Sequence, residues 1–215
     1  MFNLGEMAEK LERSIMNLLS KEEQRYGRNK ETLVNHTYIE SGEYRKKFDN
    51  ISDNAELNKL LYQLAKKMLI HRSGTLFEDM YWIDPDTLEV VASEISCDVQ
   101  QKVVYSKSTL KAIRGKKGLI TIHSHPHSFP PSIEDFNSNY GHSNGIGVVC
   151  GHDGSVYVYW AKEEVQKERS NYLQKKYFNI CRDETLAQVR VLNELQTISD
   201  IYFEEVTKDE HMGRY

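Results

Sequence analysis

The sequence predicts an α+β fold, a central and largely antiparallel sheet with helices around it. Three observations carry that expectation. Apolar residues recur at helical spacing on both flanks, as in Leu57, Leu60, Leu61, Leu64, Met68 and Leu69. Between the flanks the period shortens into β-favouring runs such as Gly118-Leu119-Ile120-Thr121-Ile122. Turn chemistry separates those runs, most plainly at Asp84-Pro85-Asp86-Thr87 and Gly151-His152-Asp153-Gly154.

Taken in order, the first ~30 residues read as a polar helix with one apolar face, formed by Leu4, Met7, Leu11, Ile15, Leu18 and Leu19. Asn29 to Asn50 is polar and charged and reads as a connector. A second helix starts near Asp53 or Asn54, either a competent N-cap, and ends before Gly74. Thr75 to Ile83 and Leu88 to about Ile95 read as two strands of a hairpin. Ser106 to Arg114 fits a short helix, stopped by Gly115. The strand ending at Ile122 runs directly into His123-Ser124-His125-Pro126. Ser132 to Tyr140 reads as a helix with Ser132 as N-cap, and Ile146–Cys150 and Ser155–Trp160 as paired strands. Glu163–Cys181 and Glu184–Val206 read as two long helices. The second carries Leu186, Val189, Leu192, Leu195, Ile198 and Ile201 at three-residue spacing, a stripe that drifts around a helix and suits a broad contact. That stripe serves core or dimer packing on one reading and a partner protein on the other. The organisation expected is an N-terminal helical region over 1–69, a core over 70–165 and C-terminal helices over 166–215.

Composition narrows the function. With 39% hydrophobic and 28% charged residues, the chain is neither low-complexity nor a pure coiled coil. A net charge of −4 gives no general basic field for a nucleic-acid backbone, so no nucleic-acid partner is expected. Three scattered cysteines, Cys97, Cys150 and Cys181, form neither a CxxC pair nor a disulfide framework. No segment approaches the ~18 uninterrupted apolar residues of a membrane span. The first residues carry acids where an export signal would be basic and then apolar. A soluble, cytoplasmic protein is the expectation.

The chemistry sits in His123-Ser124-His125-Pro126-His127-Ser128-Phe129-Pro130-Pro131-Ser132-Ile133-Glu134-Asp135. Two imidazoles two residues apart at a strand end point the same way and can share one metal. Asp135 lies in the first turn of the next helix, and a turn holding three of the four prolines of the chain can return its carboxylate to the histidines. Two histidines and one carboxylate leave a fourth position open, the arrangement of a catalytic zinc site. Each half alone is weak, since His-x-His pairs are common and Ser-x-x-Asp is ordinary helix capping. Their succession behind an apolar strand is far more specific. His127 lies within the turn, where it either lines the site or is simply exposed, the favoured reading, and His142 and His152 lie beside turns.

These residues resemble the JAMM family, the MPN+ zinc metallopeptidases of the JAB, Mov34 and RadC-like type. The family pattern is an upstream Glu, then His-x-His-Pro, then Ser-x-x-Asp. This chain supplies His123, His125, Pro126, Ser132 and Asp135, and the upstream Glu best matches Glu78 on an early strand. Asp79, on the opposite strand face, is the second choice. The resemblance covers roughly residues 70–165. The stretch from His125 to Asp135 is one residue shorter than usual in the family, and the deletion falls in the proline turn.

The resemblance implies a JAB/MPN-like, cytidine-deaminase-like sheet flanked by helices. It also implies Zn2+ on His123, His125 and Asp135, with Glu78 as proton shuttle and Ser132 as oxyanion donor. Amide hydrolysis follows, on a protein or peptide substrate such as a ubiquitin-like conjugate or a peptide tail. A non-catalytic interaction module of the same fold is the alternative. A deaminase would want His-x-Glu and Pro-Cys-x-x-Cys, which are absent. A nuclease is weakened by the acidic balance. Self-association or a partner protein would engage the terminal helices.

Overall fold

The helix expected from Asp53 or Asn54 forms over Ala55–Arg72. Asn54 caps it by accepting hydrogen bonds from the amides of Glu56 and Leu57. Leu57, Leu61, Leu64, Ala65, Met68 and Leu69 then bury one stripe. The computed structural model describes residues 27–207. In it a 3-10 turn (Lys30–Thr32) precedes α1 (His36–Ile39), α2 (Gly42–Lys46), α3 (Ala55–Arg72), β1 (Met80–Ile83) and β2 (Val90–Glu94). There follow α4 (Lys107–Ile113), β3 (Ile120–His125), α5 (Ile133–Gly141), β4 (Gly147–Gly151), β5 (Val156–Ala161), α6 (Lys167–Cys181), α7 (Glu184–Leu195) and β6 (Ile201–Glu205).

The architecture is α+β, with one six-stranded mixed sheet in the order β2-β1-β3-β4-β5-β6. Only the β3–β4 pair is parallel, because α5 carries the chain from the end of β3 back to the start of β4. Met80 lies opposite His123, and His123 beside Val149, so the register of three strands converges on the first histidine.

Strand alternation sorts the two faces. Tyr81, Ile83, Ile120, Ile122, Val148, Val156 and Val158 meet α3 and the N-terminal segment. Val149, Tyr157, Tyr159 and Phe203 meet α5, α6 and α7 through Phe136, Leu173, Val191 and Leu192. Met80 and Trp82 form a smaller cluster with Ile113 and Leu119.

Several sequence expectations need correction. The connector over Asn29–Asn50 contains two short helices, capped by Asn35 and Ser41, and the stretch buries Val34, Ile39, Tyr44 and Phe48. Its polar composition hides four apolar anchors that reach one core. The strand expected from Thr75 is confined to Met80–Ile83. The helix expected over Glu184–Val206 ends at Leu195, and Ile201–Glu205 is a strand paired with β5. Ile201 and Phe203 alternate inward at period two, and the three-residue apolar spacing masks that change. The helix expected at the N-terminus falls almost wholly outside the described residues.

The flanks share the core with the central segment. Leu61, Met68 and Leu69 of α3 belong to the same cluster as Ile122 and Val158, and β6 completes the sheet edge. Each buried leucine is worth about 1.5–3 kcal/mol. A fragment of residues 70–165 therefore loses too much apolar contact to fold. Circular dichroism should show no cooperative melt for it, whereas the full chain melts in one transition; a cooperative fragment melt would show that the flanks are dispensable.

Candidate metal centre

His123 and His125 lie at the end of β3, on the face opposite Ile120 and Ile122. The two buried isoleucines fix the strand, so both imidazoles must leave it on the other side. Their Nε2 atoms are 3.0 Å apart. The His125 Nδ1 is 2.8 Å from the Phe129 carbonyl oxygen. That oxygen can only accept, so Nδ1 carries the proton and Nε2 presents its lone pair. The side chain of His123 is 2% exposed, and its Nδ1 has no hydrogen-bond partner among the described residues.

Asp135 arrives from the other side. Ser132 caps α5, and the two residues form a reciprocal capping box. Ser132 N–H donates to Asp135 Oδ2 at 2.7 Å, and the Asp135 amide donates to Ser132 Oγ at 3.2 Å. The carboxylate is held in one orientation, with Oδ1 3.4 Å from His123 Nε2 and Oδ2 3.6 Å from His125 Nε2. One ligand atom from each of the three residues lies within 4.8 Å of the others. Partial burial alone would raise the Asp135 pKa, but the two histidines and the Ser132 amide hold it well below the usual carboxylate range. Two imidazole nitrogens and an ionised carboxylate, oriented by hydrogen bonds from outside, fit a divalent metal such as zinc.

Glu78 and Asp79 part company as strand parity requires. Ser124 N–H donates to the Asp79 carbonyl, and the Asp79 amide donates to Ser124 Oγ, both at 3.1 Å. Asp79 turns its side chain to the α3 side, where Arg72 Nε donates to Oδ1 at 2.5 Å and His71 Nδ1 lies 2.6 Å from Oδ2. Arg72 is fully buried and also donates to the carbonyls of Ile95 and Cys97. Glu78 faces the metal side and is 6% exposed. Burial pushes its carboxyl up to about 7, aided by Asp135 and opposed by His125 and Arg72.

Glu78, His123, His125, Ser132 and Asp135 line one open cleft of about 660 Å³. Its apolar wall includes Met80, Val103 and Phe129. The structure thus brings Glu78, His123, His125, Ser132 and Asp135 into one place and leaves Asp79, the second choice for the upstream acid, on the opposite side of the sheet. Ser132 differs in detail: its hydroxyl donates to Asp135 Oδ2 at 2.8 Å, and must turn away to meet anything in the cleft. His127 lines the cleft and is half-buried.

Sequence reasoning missed several supports. Tyr105 lines the cleft, with its hydroxyl 2.8 Å from Ser138 Oγ and its ring edge-on to Trp82. His152 is buried, with Nδ1 2.7 Å from the Thr32 carbonyl, and its amide donates to the carbonyl of His125. Burial pushes its pKa down to about 4. Nothing in local pattern marks these residues, because their partners lie far away in the chain. Comparison with protein-family models, characterised proteins and solved structures finds no match to this chain.

Two outcomes follow from this geometry. Asp79→Asn leaves the buried Arg72 without its counter-charge and should cost about 3–5 kcal/mol in urea unfolding. For Glu78, the folded value of about 7 exceeds the ordinary 4.5. Its carboxyl therefore costs nothing below pH 4.5, and the metal-free protein loses stability as pH rises through 7. Between pH 4 and pH 8, chelator-treated wild type should lose about 3 kcal/mol that Glu78→Gln does not lose. Parallel pH curves for the two proteins would contradict the burial of this carboxyl.

Proposed function

We infer that the protein is a zinc-dependent peptidase or isopeptidase of the JAMM/MPN+ kind, hydrolysing an amide bond in a protein or peptide substrate. The observation that carries this reading is the convergence of a buried Glu78 and a His123–His125–Asp135 ligand set in one open cleft. Zinc bound there supplies a Lewis acid that polarises the scissile carbonyl and makes water a competent nucleophile. The chain supplies the rest. Glu78 accepts the proton from the attacking water and returns it to the leaving amine, which a carboxyl titrating near neutrality does efficiently. Ser132, if its hydroxyl rotates from Asp135, hydrogen-bonds the oxygen that gains charge. The apolar wall at Met80, Val103 and Phe129 seats the substrate against these groups.

No helix among the described residues is long and apolar enough to cross a membrane. The cysteines at 97, 150 and 181 are unpaired, which suits a reducing compartment, and the cytoplasm is the proposed location. One observation favours a second reading, a non-catalytic MPN-type interaction module: the Ser132 hydroxyl is committed to Asp135.

The test separates the readings. Purified protein should hold one zinc per chain, and His123→Ala should lose it with the fold retained. Glu78→Gln should keep zinc and fold while hydrolysis of a ubiquitin-like fusion or a peptide library falls by ~10²–10⁴-fold. Stoichiometric zinc with no hydrolysis by wild type across those substrates would favour the interaction module. Full zinc retention in His123→Ala would overturn the ligand assignment.

A further inference from the structure

The turn from His125 to Ser132 has to return Asp135 to two histidines, yet it can do little to hold itself. Pro126, Pro130 and Pro131 have no amide hydrogen. Ser128 adopts a left-handed conformation with φ 59°. The turn makes one backbone bond of its own, from the Ser128 amide to the His125 carbonyl at 3.0 Å, and further contacts hold it in place. Ser128 Oγ accepts from the Asp153 amide at 2.9 Å, and the Phe129 carbonyl accepts from the His125 ring at 2.8 Å. The next two carbonyls go to a single side chain. Gln188 Nε2 lies 2.9 Å from the Pro130 oxygen and 3.0 Å from the Pro131 oxygen. A carboxamide nitrogen carries two hydrogens, and here each has its own acceptor.

Gln188 is well placed to act as a fixed post. It sits on α7, whose Ala187, Val191 and Leu192 are buried beside it, and Val191 and Leu192 share a cluster with Phe136 of α5. The residue after Pro131 is Ser132, the cap that orients Asp135. A hydrogen-bond pair from a rigid helix thus ends one residue before the capping box that aims the carboxylate.

We propose that Gln188 is a positioning residue for the metal centre: its carboxamide straps the proline turn to α7 and thereby sets Asp135 for metal binding. The inference rests on the reading of His123, His125 and Asp135 as a zinc site. It gives α7 a function at the centre, since removing the strap frees the turn without touching any ligand. It also accounts for how a turn of this length keeps its shape when its own backbone offers so few donors.

The experiment uses the full chain and zinc alone. Zinc affinity is read by competition with a chromophoric chelator, and amide hydrogen exchange is followed in the metal-free protein. Gln188→Met keeps the length and the apolar stem but has no donor. Gln188→Lys keeps donors at the end of a flexible stem. The Met variant should bind zinc about 10–100-fold more weakly than wild type, as loss of an outer hydrogen-bonding partner does. The Lys variant should recover most of that loss. The amides of Ser132 and Asp135 should exchange faster in the Met variant, with those of α7 unchanged.

Wild-type affinity in Gln188→Met would overturn the strap while leaving the zinc site standing. Equal weakness in the Met and Lys variants would show that side-chain packing, not hydrogen-bond donation, is what matters, and would overturn it too. Absence of zinc binding by wild type would overturn the metal reading itself. The exchange measurement still judges the strap in that case, and in the case of a variant that melts early.

Discussion

The site depends on the burial of β3. Ile120 and Ile122 are locked against α3 on one face of the sheet, and alternation along the strand leaves His123 and His125 no choice but the other. The neighbours fix that choice. β1 pairs antiparallel and β4 parallel with β3, so a slip of one residue would carry Ile120 and Ile122 out of the core. Hydrophobic burial, which has no directional preference of its own, is converted by strand parity into the direction of two imidazoles.

The same parity separates two adjacent acids. Asp79 is drawn to Arg72 and His71 beneath the sheet, where its charge is paired. Glu78 is thereby turned to the cleft, where burial favours its protonated form. A buried ion pair contributes little net stability against a well-packed apolar alternative. Its value here is orientational, because it forbids the register in which Glu78 would face α3. Asp135 is aimed by an equally local device, a helix cap, whose position is set by a turn braced on β5's hairpin and on α7.

Much of this was legible in sequence, for definite reasons. His-x-His at a strand end and Ser-x-x-Asp at a helix start are local patterns whose geometry follows from backbone period, and the two ends meet as expected. The Asp84–Thr87 and Asp153–Gly154 turns also follow from short-range chemistry. Long-range effects escaped. Ile201 continues an apolar stripe that fits a helix, but the edge of β5 recruits Ile201–Glu205 as a strand. Tyr44 and Phe48 sit in a polar stretch, and only the packed fold shows them fully buried. Gln188 reaches the proline turn from 57 residues away in the chain, and His152 is anchored to Thr32 from 120 residues away, so no window of sequence could reveal either contact.

The central claim is that these residues build a metal centre, and its geometry can be read directly by zinc K-edge X-ray absorption on the full chain. The account predicts a four-coordinate zinc with nitrogen and oxygen neighbours at about 2.0–2.1 Å and a multiple-scattering pattern from two imidazoles. A six-coordinate, water-like shell without imidazole scattering, or no zinc retained after dialysis, would contradict it.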